Sequence, residues 1–260
     1  TLGEIMKVLF SNPPWWVKSS HYVQTKGNVF TAGVRAGSRW PFTFLSRSKP
    51  DRFFYGDYLP YPFFMGYAAT YAQKYSDADV IFRDSLGLRE SYRTYLEYIK
   101  TQKPDIIVIE SASPSWEHDS NLIRRLNRKW PKMKIVITGP IASKAHELME
   151  ELPLHACIKG EYEKGIVRVI NGEEGILAHD LLTKEEMNAA PYPYYDEEHA
   201  RIYCDAGALG GHLPHAHVWS SRGCPYKCIF CVWPATMTGN DPDGSNRRTV
   251  RHYTKEYMEG

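Results

Sequence analysis

The sequence predicts an α/β protein built on a doubly wound, Rossmann-like parallel sheet. Three observations carry that prediction. Short apolar runs alternate with segments whose apolar residues recur at helical spacing. The run "IIVIE", Ile106 to Glu110, is apolar up to its last residue, as a strand covered on both faces requires. The alternation of strand and helix calls for crossover helices between parallel strands.

Met6 to Phe10 is expected as the first strand, closed by the prolines of "SNPPWW". Phe64, Tyr67, Ala68, Tyr71 and Tyr75 then mark one helix face, and "DVIF" from Asp79 a second strand. Tyr92, Tyr95, Leu96 and Ile99 share a face of the next helix, and "KPD" turns the chain into the third strand. A helix with Leu122, Ile123, Leu126 and Trp130 on one side follows. "KIVITGP" gives a fourth strand ending at Gly139, then a polar helix runs through Leu148, and "HACIKGE" is a short fifth strand. These elements define a first domain over residues 1–170. Residues 171–214 lack periodicity and read as a linker carrying "APYPYYD" and "GALGGHLP". "HAHVWSS", His215 to Ser221, reads as a strand that opens a second unit over residues 215–260. Some 50 residues, about Ser11 to Pro60, separate the first strand from its helix, where about 2–6 are usual. They leave from a strand's carboxyl end, so they either cap a ligand there or form a surface excursion.

The net charge of +2 over 260 residues argues for neither nucleic acid nor a membrane surface as partner. No apolar run approaches the roughly 20 residues of a spanning helix. The opening residues carry no signal-peptide pattern, and five cysteines are too few for a disulfide scaffold. A reducing, cytoplasmic setting is therefore expected.

Three of the five cysteines fall within eight residues of "SSRGCPYKCIFCVWP", at spacing C-x3-C-x2-C. Structural zinc closes its shell with four protein ligands. A cubane cluster on three thiolates instead leaves one iron free to be chelated. The amino and carboxylate groups of S-adenosylmethionine make such a chelating pair. Gly223 and Pro225 suit a tight backbone path around a bulky cluster. "RGCPYKCIFC" closely resembles the cluster motif of the radical S-adenosylmethionine superfamily. "RRTVRHYTKE", Arg247 to Glu256, resembles the segment that follows it. The resemblance implies that Cys224, Cys228 and Cys231 hold a 4Fe–4S cluster. It also implies that Phe230 faces the adenine and that a flavodoxin- or ferredoxin-type donor supplies electrons. The second unit is then the start of an α/β barrel.

The first domain resembles the cobalamin-binding domain of one large branch of that superfamily. "ESASPSW" looks like the serine loop beside the corinoid's nucleotide tail, and "TGP" like that domain's glycine pair, with Pro140 in second place. "KGEYEKG" looks like the Gly-Glu-Gly-Glu turn that closes it. The resemblance implies that Ser111, Ser113 and Gly139 contact cobalamin. The alternative is that these are ordinary βα turns with helix-capping serines. The Asp-x-His-x-x-Gly motif that supplies a cobalt ligand is absent; His21 lies in "SSHYVQ", without the Asp or Gly, and His118 and His146 read as surface residues.

Only 37 residues run from Cys224 to Gly260, too few for a barrel of about 250 residues. The chain alone is therefore expected not to support complete catalysis, and no catalytic side chain stands out. The branch implies methyl transfer or oxidative cyclisation of a small-molecule substrate. Two alternatives stay open: a radical enzyme without cobalamin, and a non-catalytic zinc module with Cys204, His212, His215 or His217 as fourth ligand.

Overall fold

The computed structural model describes residues 5–18, 29–32, 42–45, 58–59, 61–205, 216–226, 228, 231, 236–237, 239 and 250–260. Six parallel strands form the central sheet: β1 (Lys7–Asn12), β2 (Asp79–Asp84), β3 (Ile106–Glu110), β4 (Lys134–Thr138), β5 (Ala156–Ile158) and β6 (Gly175–Leu177). Their order is 2-1-3-4-5-6, and every pairing is parallel. The chain steps from β1 to β2 on one side and then crosses to β3 on the other. β1 and β3 therefore flank a topological switch point, where open α/β sheets bind ligands.

Alternation along each strand feeds two apolar layers. Val8, Phe10, Ile106, Val108 and Val136 face α1 (Phe63–Tyr75) and α5 (Glu163–Ile170). Leu9, Ile107, Ile109, Ile135 and Ile137 face α2 (Tyr92–Gln102), α3 (Trp116–Lys129) and α4 (Ala145–Glu151). All five residues of β3 are buried, as its composition demands. Burying each of its isoleucines contributes about 1.5–3 kcal/mol.

The helix ends follow local chemistry. The Ser91 hydroxyl accepts from the backbone N–H of Thr94 at 3.1 Å and starts α2. Lys103 then ends it in the left-handed region at φ 51°, with its N–H bonded to the Ile99 carbonyl. α6 (Lys184–Ala189) opens with a capping box between Thr183 and Glu186.

Two expectations change. Residues 171–214 carry more structure than a linker: β6 extends the sheet beyond residue 170, and α6 follows. Three residues give too short a run for periodicity to reveal a strand. The strand expected over His215 to Ser221 survives, among its described residues, only at its end. Ser221–Arg222 pairs antiparallel with Arg251–His252. Upstream, side chains replace the ladder: the Trp219 N–H donates to the Tyr67 hydroxyl at 3.1 Å and the His217 N–H to the Tyr195 hydroxyl at 2.7 Å. Within the insertion after β1, Trp16–Lys18, Val29–Ala32 and Phe42–Leu45 form a small antiparallel sheet.

Candidate functional site

The carboxyl edge of the sheet carries buried polar groups, and each has a traceable reason to be there. Asn12 ends β1 and donates to Asp84 at 2.8 Å. Asp84 also accepts from the Gly87 N–H at 2.9 Å and the Tyr203 hydroxyl at 3.0 Å. Burial pushes the Asp84 carboxyl above the usual carboxylate range, and these donors oppose that push. Glu110 ends β3. It accepts from the Tyr162 hydroxyl at 2.9 Å and from the Met65 N–H in the first turn of α1. Desolvation outweighs both and raises its pKa from the ordinary 4.5 to about 7.

Ser111, Ser113 and Gly139 lie together on this edge, but in different settings. Ser111 is fully buried, and its hydroxyl donates to Asp119 of α3 at 2.6 Å. Ser115 lies beside it at 3.3 Å and bonds the Ala112 backbone. Ser113 is exposed at the start of a single 3₁₀ turn. Gly139 has φ 88°, and a Cβ there would stand 2.6 Å from the Ser111 carbonyl oxygen. The close approach this glycine permits is thus to the neighbouring βα loop. Across the switch point, Trp15 and His118 bring their rings to 5.3 Å. His118 is half-buried there, rather than free on the surface as its helix suggested.

The cysteine loop starts immediately after Arg222. Gly223, at φ 93°, turns the backbone into Cys224. Cys224 and Cys231 are half-buried and Cys228 is exposed. The Cys231 N–H donates to the Cys228 carbonyl at 2.9 Å, closing a tight turn between the last two thiols. Phe230 lies outside the described residues. Among the described residues, no three His, Cys, Asp or Glu side chains converge as a metal-holding group. By residue type, the three cysteines supply soft thiol donors of the kind that iron–sulfur clusters take.

Arg222 docks this loop on the sheet. Its side chain is buried, with Nη1 paired to Glu163 and, at 3.4 Å, to Glu161. Nε donates to the Tyr253 hydroxyl at 3.1 Å. The guanidinium stacks over Tyr67 at 4.6 Å and Trp219 at 5.0 Å. Arg251 pairs with the other oxygen of Glu161 and donates to the Leu182 carbonyl. Glu161 lies in the turn between β5 and α5 and Glu163 is the first residue of α5, so Arg222 meets the sheet's carboxyl side. A second contact supports the docking. The Glu161 N–H donates to the Met237 carbonyl at 3.3 Å, and His179 Nε2 bonds the Thr236 carbonyl at 3.2 Å. Sequence reasoning did not find the roles of Glu110, Glu161, Glu163 and Arg251. The usable signal was the paired acids of "KGEYEKG" set against the arginines on either side of the cysteine loop.

No protein-family profile matches the chain. The chain is similar to an uncharacterized methyltransferase of Pyrococcus horikoshii, at 26% identity over 191 residues. The alignment covers 65% of this chain and 40% of that protein. The chain therefore spans about two fifths of the length of the curated relative it matches. Among the described residues, no helix is long and apolar enough to cross a membrane.

Proposed function

We infer that this chain carries the cofactor-binding portion of a cobalamin-dependent radical S-adenosylmethionine enzyme, with methyl transfer to a small molecule as its reaction. Oxidative cyclisation is the other reaction that the same cofactor set serves. One observation carries the reading: a C-x3-C-x2-C loop docked through Arg222 on the carboxyl side of a Rossmann-like parallel sheet. The name of the Pyrococcus relative supports methyl transfer. Cys224, Cys228 and Cys231 would each give a thiolate to a 4Fe–4S cluster. Phe230 would meet the adenine. Ser113, exposed beside the switch point, has a free face for an amide or phosphate of the corinoid tail, with Ser111 and Gly139 shaping the loop beneath it. When bound, the cluster supplies the electron that splits S-adenosylmethionine into methionine and an adenosyl radical, and cobalamin supplies the methyl carrier. The protein's share is orientation and exclusion of water. A flavodoxin- or ferredoxin-type donor is the partner this requires, in a reducing cytoplasm.

The test is anaerobic purification with iron and sulfide, followed by dithionite reduction and electron paramagnetic resonance (EPR). The expected result is a brown protein whose reduced signal shifts on adding S-adenosylmethionine. Hydroxocobalamin should stay bound through desalting. Cys228→Ser should abolish the signal while leaving the fold intact, because Cys228 is exposed. A colourless protein holding zinc and indifferent to dithionite would overturn the reading in favour of a zinc module. A cluster without retained cobalamin would leave a radical enzyme whose first domain serves another purpose.

A further inference from the structure

We propose that Glu161 and Glu163 are positioning residues for the cysteine loop, acting through Arg222; the inference rests on the reading of that loop as the cluster site. Four charged side chains meet where the loop joins the sheet. Glu161, Glu163 and Arg222 are 3%, 1% and 4% exposed, and Arg251 is only partly exposed. Two carboxylates face two guanidiniums, so the set is neutral. Burial pushes the Glu161 carboxyl up, and Arg222 and Arg251 pull it back towards the charged form.

Such a set is a poor device for stability alone. Desolvating buried ions offsets most of their mutual attraction, and apolar residues of equal volume often hold a junction as well. Moreover, Arg222 Nη2 is buried without a hydrogen-bond partner among the described residues. The set does fix geometry. A planar guanidinium clamped on Nη1 and Nε, and stacked on Tyr67 and Trp219, has one orientation. Gly223 is the single residue between this clamp and Cys224. The groups converge from the turn after β5 and the first residue of α5, from α1, from the strand before the cysteines and from the strand at Arg251. The first thiol is thereby set relative to the sheet edge that carries Ser111, Ser113 and Gly139.

The experiment compares the full chain with Glu163→Gln, Arg222→Lys and the double variant Glu163→Gln/Arg222→Gln, using two readouts. The first is hydrogen exchange of the apoprotein. Each variant should exchange faster, by about tenfold, over residues 216–226, while β3 and β4 stay protected as in the parent. The second is the S-adenosylmethionine concentration that half-shifts the reduced cluster signal, expected to rise about tenfold in each variant. Arg222→Lys keeps the charge and loses the fork, so its failure to rescue either readout marks positioning rather than charge. Unchanged exchange over 216–226, or exchange that rises equally in β3 and β4, overturns the proposal. So does a parent-like half-shift concentration in variants that hold a cluster. If the parent itself takes up no cluster, the proposed function falls, and the exchange readout alone decides whether the clamp positions the loop.

Discussion

On one face of the sheet, the groups shut away from water are chiefly Leu9, Ile107, Ile109, Ile135 and Ile137, packed on the apolar residues of α2, α3 and α4. At the junction beneath the cysteine loop they are Glu161, Glu163, Arg222 and the rings of Tyr67 and Tyr253, with the half-buried Trp219 beside them. The first region is held by contacts that have no direction and tolerate small shifts. The second is held by ion pairs and ring stacking that hold only in one arrangement. The contrast teaches where this protein invests in geometry. The sheet needs to be stable, and the loop needs to be in register with it.

The largest expected effect comes from Arg222→Ala. It leaves the buried Glu163 carboxylate without its guanidinium, while Glu161 keeps Arg251, and should destabilise the protein by about 3–5 kcal/mol in urea unfolding. A loss under about 1 kcal/mol would break the contrast, because the junction would then behave as a solvated surface. Ile107→Ala opens a cavity at the centre of the other region and should lower stability by about 2–5 kcal/mol. Its effect should appear as uniform loss of protection across the sheet, where that of Arg222→Ala concentrates around residues 216–226.

Glu110 lies between the two regimes, a lone buried acid at the end of an apolar strand. Its folded pKa of about 7 exceeds the ordinary 4.5. Its contribution is therefore fully present below about pH 4.5 and is lost as pH rises through about 7, a change of about 3 kcal/mol. Unfolding midpoints measured from pH 5 to pH 8 should fall in the parent and flatten in Glu110→Gln. A parallel fall in both would assign the slope to other groups. The smallest effect is expected from Gly139→Ala, about 1–3 kcal/mol, because φ 88° and the Ser111 carbonyl both resist a Cβ.

Legibility in the sequence follows the same division. β3 was readable to the residue, because five consecutive apolar or terminal positions between "KPD" and a serine loop admit little else. α2 and α3 were readable from four apolar positions each. β6 was not: "GIL" is three residues long and gains its strand character from β5 beside it. Of the candidate site, the cysteine spacing was legible as a pattern because the three thiols lie close in sequence. Ser111 was legible as a loop serine, but its commitment to Asp119 was not. The Arg222 clamp was hidden for the same reason in stronger form. Its partners lie 61 and 59 residues away, and no periodicity links an arginine before a cysteine loop to two acids after a strand.

The clamp also orders events during synthesis. Domains fold amino-terminal part first as the chain emerges. Glu161 and Glu163 leave the ribosome about 60 residues ahead of Arg222. Until Arg222 and Arg251 arrive, both acids stay hydrated, and the Tyr67 face of α1 has no cation to stack on. All six strands of the sheet precede the cysteines in the chain, whereas Arg251 and Tyr253 follow them, so the junction can close only after the cysteine loop itself has been made.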